Sequence, residues 1–136
     1  MIYCCACACD VQARLTDGRE IYPHRGDLAD LPFWRCKCGE FVGCHHKTKY
    51  RTRPLGCIPS PEMRNARKHI HSLIDPEWQS GRMRRGSLYA AISRAIGWEY
   101  HTAELRTIED ARVVYRAAAS IIAATIPPDG QALAQG

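Results

Sequence analysis

The sequence predicts an α+β fold: a small ribbon of two β-hairpins tied by one metal ion, followed by about three α-helices. Three observations carry this. Cysteines cluster twice in the first third of the chain, at Cys4-Cys5-Ala6-Cys7-Ala8-Cys9 and at Cys36-Lys37-Cys38. The residues between and beside the clusters read as short strands and turns. Beyond Ser60, apolar residues recur at three- and four-residue steps, the period of a helix that buries one face.

In chain order, the first ten residues form one thiol-bearing turn. Val11, Ala13 and Leu15 alternate, Asp17-Gly18 supplies a hairpin turn, and Glu20, Ile21 and Tyr22 return as the partner strand. Residues 23–32 hold Pro23, Gly26 and Pro32 and read as a loop. Residues 33–46 give a strand, the second thiol turn with Gly39 behind it, and an exit strand through Phe41 and Val42 into Cys44, His45 and His46. Zinc takes four soft ligands in a tetrahedron, and two turns offering two cysteines each supply them. Zinc is therefore the expected cofactor. Its expected ligands are Cys36 and Cys38, with two of the four N-terminal cysteines. The N-terminal third is short of large aliphatic residues, and a metal is a common remedy for so thin a core. Cys44 and Cys57 read as small buried residues.

Residues 47–60 form a basic, irregular connection, with Lys47, Lys49, Arg51 and Arg53 ahead of Pro54-Leu55-Gly56. Such a segment either docks on the ribbon or stays mobile. Ser60 is a good N-cap and Pro61 suits the first helical position. Met63, Ala66, Ile70 and Leu73/Ile74 then mark one apolar face, and Pro76 is expected to end the helix. A linker over 76–86 leads to a second helix from about Ser87, with Leu88, Ile92 and Ile96 on one face and Gly97 as its C-terminal cap. Thr107 caps a third, with Ala111, Val114, Ala118 and Ile122 inward, and Pro127-Pro128 stops it. The expected organisation is a ribbon with a basic exit loop over 1–56, a helical region packed on it over 57–126, and a flexible tail over 127–136.

At 136 residues the chain has room for one domain. The N-terminus lacks a basic start and a sustained apolar run, so it does not read as a secretory signal, and no stretch reaches the length of a membrane span. Eight cysteines in a chain read as cytoplasmic point to metal rather than disulfides. The net charge of +5 is uneven. Between Gly43 and Trp98 eleven Lys and Arg face three acids, a surplus of eight, while the rest of the chain has eight bases against eleven acids. A basic middle suits a polyanion, though a solvated face looks the same at this level. The candidate contacts to nucleic acid are Lys47, Lys49, Arg51 and Arg53 in the loop and Arg64, Arg67 and Lys68 at the start of the first helix. The basic 82–85 linker adds to them, and Tyr50, Trp34 and Trp78 offer rings for stacking.

Several stretches resemble one known family, a zinc-finger-containing domain of bacteria and their phages whose function is largely uncharacterised. They are Gly18-Arg-Glu-Ile-Tyr22, then Trp34-x-Cys36 through Cys38-Gly-x-Phe-Val-Gly-Cys-His45, then Pro54-Leu-Gly56. Arg64-x-x-Arg67-x-x-x-His71-x-x-x-Asp75-x-x-Trp78 follows, then Tyr89-x-x-Ile92 and His101-x-x-Glu104. The resemblance covers roughly residues 4–116. It implies one zinc, a ribbon with helices, and often a phage or prophage context; it brings no activity. The family's turns tend to be Cys-x-x-Cys, whereas the second turn here, Cys36-Lys37-Cys38, is one residue shorter. In the first turn Cys4 and Cys7 have the usual gap, but register with Leu15 and Gly18 favours Cys9, with Cys7 or Cys5 as its mate. The ligands thus stand as Cys36 and Cys38 with a pair from the first cluster, Cys4, Cys7 and Cys9 foremost.

His45 and His71 remain as possible functional residues. His45 reads as packing under the Pro54-Leu55-Gly56 loop, with metal ligation or catalysis as the alternative, and His46 as solvated. His71 and Asp75 share a helix face at i and i+4, where a carboxylate orients an imidazole. A hydrogen bond near Pro76 explains them as well as acid–base chemistry does, and His101 with Glu104 reads as a helix-start pair. A metal-dependent nuclease of the His-Asn-His kind would need a hairpin-to-helix placement that is missing, and Asn65 is the only asparagine. The sequence therefore favours a non-enzymatic, zinc-binding accessory protein that contacts DNA or RNA by its backbone. A module, or a phage inhibitor, that docks on a host protein is the alternative, and a nuclease the least favoured reading.

Overall fold

In the computed structural model, residues 1–125 are described. Strands β1 (Ile2–Cys4) and β2 (Cys9–Val11) form an antiparallel hairpin that sets Cys4 opposite Cys9. Strands β3 (Arg14–Asp17), β4 (Pro32–Arg35) and β5 (Phe41–Gly43) make a three-stranded antiparallel sheet in that order. Leu15 faces Trp34, and Trp34 faces Val42.

The hairpin expected over 11–22 does not form. The Asp17 carboxylate accepts a hydrogen bond from the Arg19 N–H at 2.9 Å and so starts a single helical turn, α1 (Gly18–Ile21). The Asp-Gly pair acts as a helix cap here rather than as a hairpin turn. Two attractions hold the turn over the sheet. Glu20 accepts from Arg14 at 2.8 Å and from Arg35 at 3.0 Å, and the Tyr22 ring meets Phe33 and Phe41 edge to face. The partner of β3 is β4, which the sequence separates from it by the 23–31 loop.

Helix α2 (Pro61–Gln79) begins where expected, with the Ser60 hydroxyl accepting from the Met63 N–H at 3.1 Å. It does not end at Pro76 but runs three residues past it. A proline in the last turn forfeits one backbone bond, and the buried Ile74 and Glu77 on either side keep that turn on the core. Helix α3 (Arg85–Ile96) closes on Gly97, whose φ of 88° is the left-handed conformation that glycine adopts freely. Helix α4 (Ile108–Thr125) starts with the Thr107 hydroxyl accepting from the Asp110 N–H. The tail expected over 127–136 lies outside the described residues.

Two apolar cores result. The larger lies among the three long helices and the segment before α4, and includes Ile70, Ile74, Leu88, Ile92, Tyr100 and Val114. The smaller, in the ribbon, has only Cys4, Cys36, Val42 and Ile58 fully buried, with Ile2, Val11, Ala13 and Trp34 around them. The halves are stitched by backbone. Ile58 donates its N–H to the Tyr3 carbonyl and accepts from the Cys5 N–H, both at 2.8 Å. Cys57 donates to the Ala103 carbonyl at 2.9 Å, and a Cβ on Gly56 would lie 2.2 Å from that same oxygen. Among the described residues no helix is long and apolar enough to cross a membrane.

Candidate metal centre and basic cleft

The two thiol turns meet. Cys4 ends β1 and Cys7 lies in the tight turn that follows, where the Ala8 N–H bonds the Cys4 carbonyl. Cys36 and Cys38 lie in the β4–β5 turn, closed by Gly39 N–H to Cys36 O and by Cys36 N–H to Glu40 O. Gly39 has a φ of 100°, which the turn requires. The sulfurs of Cys4, Cys7, Cys36 and Cys38 all lie within 4.8 Å of one another. Cys4 to Cys38 and Cys7 to Cys36 are each 3.7 Å apart. A zinc ion bound by four thiolates at ~2.3 Å has sulfurs about 3.8 Å apart along each edge of its tetrahedron. The donor set therefore fits a tetrahedral thiophilic ion without rearrangement.

The electrostatics point the same way. The Cys7 thiol is pushed up to about 12, first by its hydrogen bond with Cys36 and then by Cys38 and Cys4. Cys36 is lowered, chiefly because the Cys38 backbone N–H points at its sulfur, while burial raises Cys38. Four thiols crowded together resist losing their protons one after another unless a cation neutralises them.

Cys9 is not brought to this cluster. It stands opposite Cys4 in the hairpin and is exposed. Cys5 turns the other way, its sulfur 3.6 Å from the Leu105 carbonyl. Cys44 and Cys57 are buried away from the four sulfurs, and all eight cysteines are free thiols.

The loop after the ribbon is docked, not loose. Thr52 accepts from the Trp34 indole N–H at 2.7 Å, Arg53 accepts from the His45 N–H at 2.8 Å, and the Arg51 guanidinium donates to the Asp30 carbonyl at 2.8 Å. Lys47, Lys49, Arg51 and Arg53 nevertheless stay exposed, with Tyr50 61% exposed between them. Arg64 and Arg67 differ from these. Arg64 pairs with Glu40 at 2.8 Å and lies over the Phe41 ring, holding α2 to the ribbon. Arg67 is partly buried and donates to the Ala103 carbonyl at 2.9 Å; burial lowers its pKa.

Between the ribbon loop and the helices runs an open cleft of about 1680 Å³. His45, Arg53 and Leu55 form its ribbon edge, α2 contributes Arg67, Lys68, His71 and Asp75, and α3 contributes Arg85, Tyr89 and Arg94. Segment 99–104, including Glu99, His101 and Glu104, forms the far side. His45 is thus exposed at the cleft edge rather than packed under the Pro54-Leu55-Gly56 loop. His46 is the half-buried one, its Nδ1 3.3 Å from the Cys44 carbonyl. His71 Nδ1 lies 3.1 Å from Asp75 Oδ1, which also accepts from the Trp78 indole N–H at 3.1 Å. His101 pairs with Glu99, at 3.0 Å, and not with Glu104. Arg94 and the stacked pair Tyr89–Tyr100 escaped the sequence reading. The signal was present, since Arg85, Tyr89 and Ser93 recur every four residues along one face of α3.

Four convergent cysteine sulfurs on two β-turns, joined to a helical bundle, define a metal-ribbon protein. The chain belongs to the zinc-finger-containing domain family, whose profile matches residues 1–120. No curated protein and no solved structure matches it.

Proposed function

We propose that this protein is a zinc-binding, non-catalytic accessory protein that contacts nucleic acid through its basic central surface. Zinc is the ion best suited to four thiolates at tetrahedral spacing. On the family resemblance alone, a phage or prophage setting is included in the reading. The observation that carries the nucleic-acid reading is the 47–53 loop. It presents Lys47, Lys49, Arg51 and Arg53 to solvent on a backbone already fixed by hydrogen bonds, so docking a phosphate chain costs little further ordering. No carboxylate pairs with these four side chains among the described residues.

The test is titration of the zinc-loaded protein with DNA and RNA across a salt series. Each phosphate neutralised contributes a slope of about −0.7 to −0.9 to log affinity against log salt. A slope of several such contacts is expected, falling by about two in Arg51→Ala with Arg53→Ala. Absence of binding at low salt defeats the reading, and a protein partner retained through nuclease treatment would replace it.

A further inference from the structure

We propose that the cleft between the ribbon loop and helices α2 and α3 is a binding groove for single-stranded nucleic acid. This rests on the nucleic-acid reading above and gives it a second site and a strand preference.

The first argument is shape. At about 1680 Å³ the cleft exceeds the ~300–1,000 Å³ that holds a typical small ligand, and it is widely open to solvent. A short run of unpaired nucleotides fits such a trough, whereas a duplex is a convex rod that meets a concavity only at its rims. The second is charge. Among the described residues Arg53, Lys68, Arg85 and Arg94 have no carboxylate partner, and all four line the cleft. Two of the cleft's three carboxylates are already engaged, Asp75 by His71 and Trp78 and Glu99 by His101. Cations left over on a concave surface concentrate a positive field there, which a solvated convex face does not do.

The third argument is the presence of flat surfaces. The Tyr89 ring stacks on Tyr100 at 5.2 Å, and the Arg85 guanidinium lies 4.6 Å from the centre of the Tyr89 ring. A planar cation on an aromatic ring at the wall of a basic trough is a stacking platform for bases, and it is indifferent to which base. His71 adds a polar contact. With Nδ1 held by Asp75, its Nε2 is the ring atom left for a phosphate or a base edge. The ribbon edge of the cleft includes Arg53, the last cation of the exposed loop, so loop and cleft form one track.

The experiment measures fluorescence anisotropy of zinc-loaded full-length protein with oligo-dT, oligo-rU and a mixed-sequence duplex of equal length. The expected result is single-strand binding at least about tenfold tighter than duplex binding. Arg85→Ala with Arg94→Ala, both exposed, should cost the single strand about tenfold or more and leave duplex affinity within about twofold. A second reading that needs no variant is the Trp78 indole N–H resonance, which reports on Asp75 in the cleft and should shift on titration with oligo-dT. Equal affinity for single strand and duplex overturns the proposal. So does single-strand binding that Lys47→Ala with Lys49→Ala, neither of which lines the cleft, weakens but the Arg85/Arg94 pair leaves unchanged. In both cases the nucleic-acid reading survives without the cleft. No binding to any of the three probes removes both.

Discussion

Cys7 in the turn and Cys9 at the start of β2 stand two residues apart and are both exposed, yet only Cys7 reaches the other three sulfurs. Replacing each by alanine is therefore a clean comparison. Neither side chain is buried, so neither change opens a cavity, and what differs is ligation. A structural zinc site has an apparent binding free energy of roughly 10–16 kcal/mol, so one sulfur of four carries about 3 kcal/mol, or roughly a hundredfold in affinity. Cys7→Ala should weaken zinc by about that factor, less whatever a water ligand restores. Cys9→Ala should leave it unchanged. Competition with a chromogenic chelator reads both, and metal analysis of each purified variant gives the stoichiometry, expected to be one ion per chain. A loss in Cys9→Ala equal to that in Cys7→Ala, or no loss in Cys7→Ala, would refute the assignment made from the sulfur geometry.

Two further outcomes follow from the geometry of the ribbon and its junction with the helices. The Cys7 thiol of the metal-free ribbon sits at about 12 against an ordinary 9.0, raised mainly by its bond to Cys36. A group whose pKa is higher when folded stabilises the fold below its unfolded pKa and loses that contribution as pH climbs toward the folded one. Chelated protein should therefore loosen at the ribbon between pH 9.0 and about 12. Zinc-loaded protein, with the thiols already deprotonated, should not, and should instead release its ion on acidification; amide exchange in β1, β4 and β5 distinguishes the two. Gly56→Ala should destabilise by about 1–3 kcal/mol, since the added Cβ would lie 2.2 Å from the Ala103 oxygen and backbone must give way. A thermal melt equal to the parent's would show that the 56–57 to 103 contact is not tight.

The helical half was legible in the sequence because its determinants are local. Ser60 with Pro61, Gly97 and Thr107 each sit at the end of an apolar stripe, and a capping side chain needs only its own next few residues to act. Pro76 misled for the opposite reason. Its local preference is to stop a helix, but Ile74 and Glu77 are buried against the bundle and carry the helix one turn on. The same contrast explains the ribbon. Asp17-Gly18 offers both a hairpin turn and a helix cap, and what decides is Glu20 meeting Arg14 and Arg35 and Tyr22 meeting Phe33 and Phe41, partners that lie six to nineteen positions away. Among the N-terminal cysteines, spacing left Cys4, Cys5, Cys7 and Cys9 open. Cys4 and Cys9 are direct partners across the β1–β2 hairpin and share its face, yet Cys4 is covered by Ile58 while Cys9 stays exposed, and only three-dimensional placement expresses that. The cleft was hidden because its residues come from the loop, two helices and a connection.

The metal and the cleft are not independent features that happen to share a chain. Cys4 offers its sulfur to the metal cluster, forms a parallel bridge with Ile58, and is flanked by Tyr3 and Cys5, whose backbones bond Ile58 on both sides. Two residues later Ser60 caps α2, so the first turns of that helix, which carry Arg67 and Lys68, start from a point fixed by the metal turn. On the opposite edge, the exit strand from the Cys36–Cys38 turn leads to Cys44, which bridges Pro54 and so sets the position of Arg53 and Leu55. Both edges of the cleft thus trace back to the four sulfurs through a few backbone hydrogen bonds. The ribbon core, with Val42 and Ile58 as its only fully buried aliphatic side chains, is too small to hold that register unaided. An ion that contacts no ligand in the cleft would still set its width.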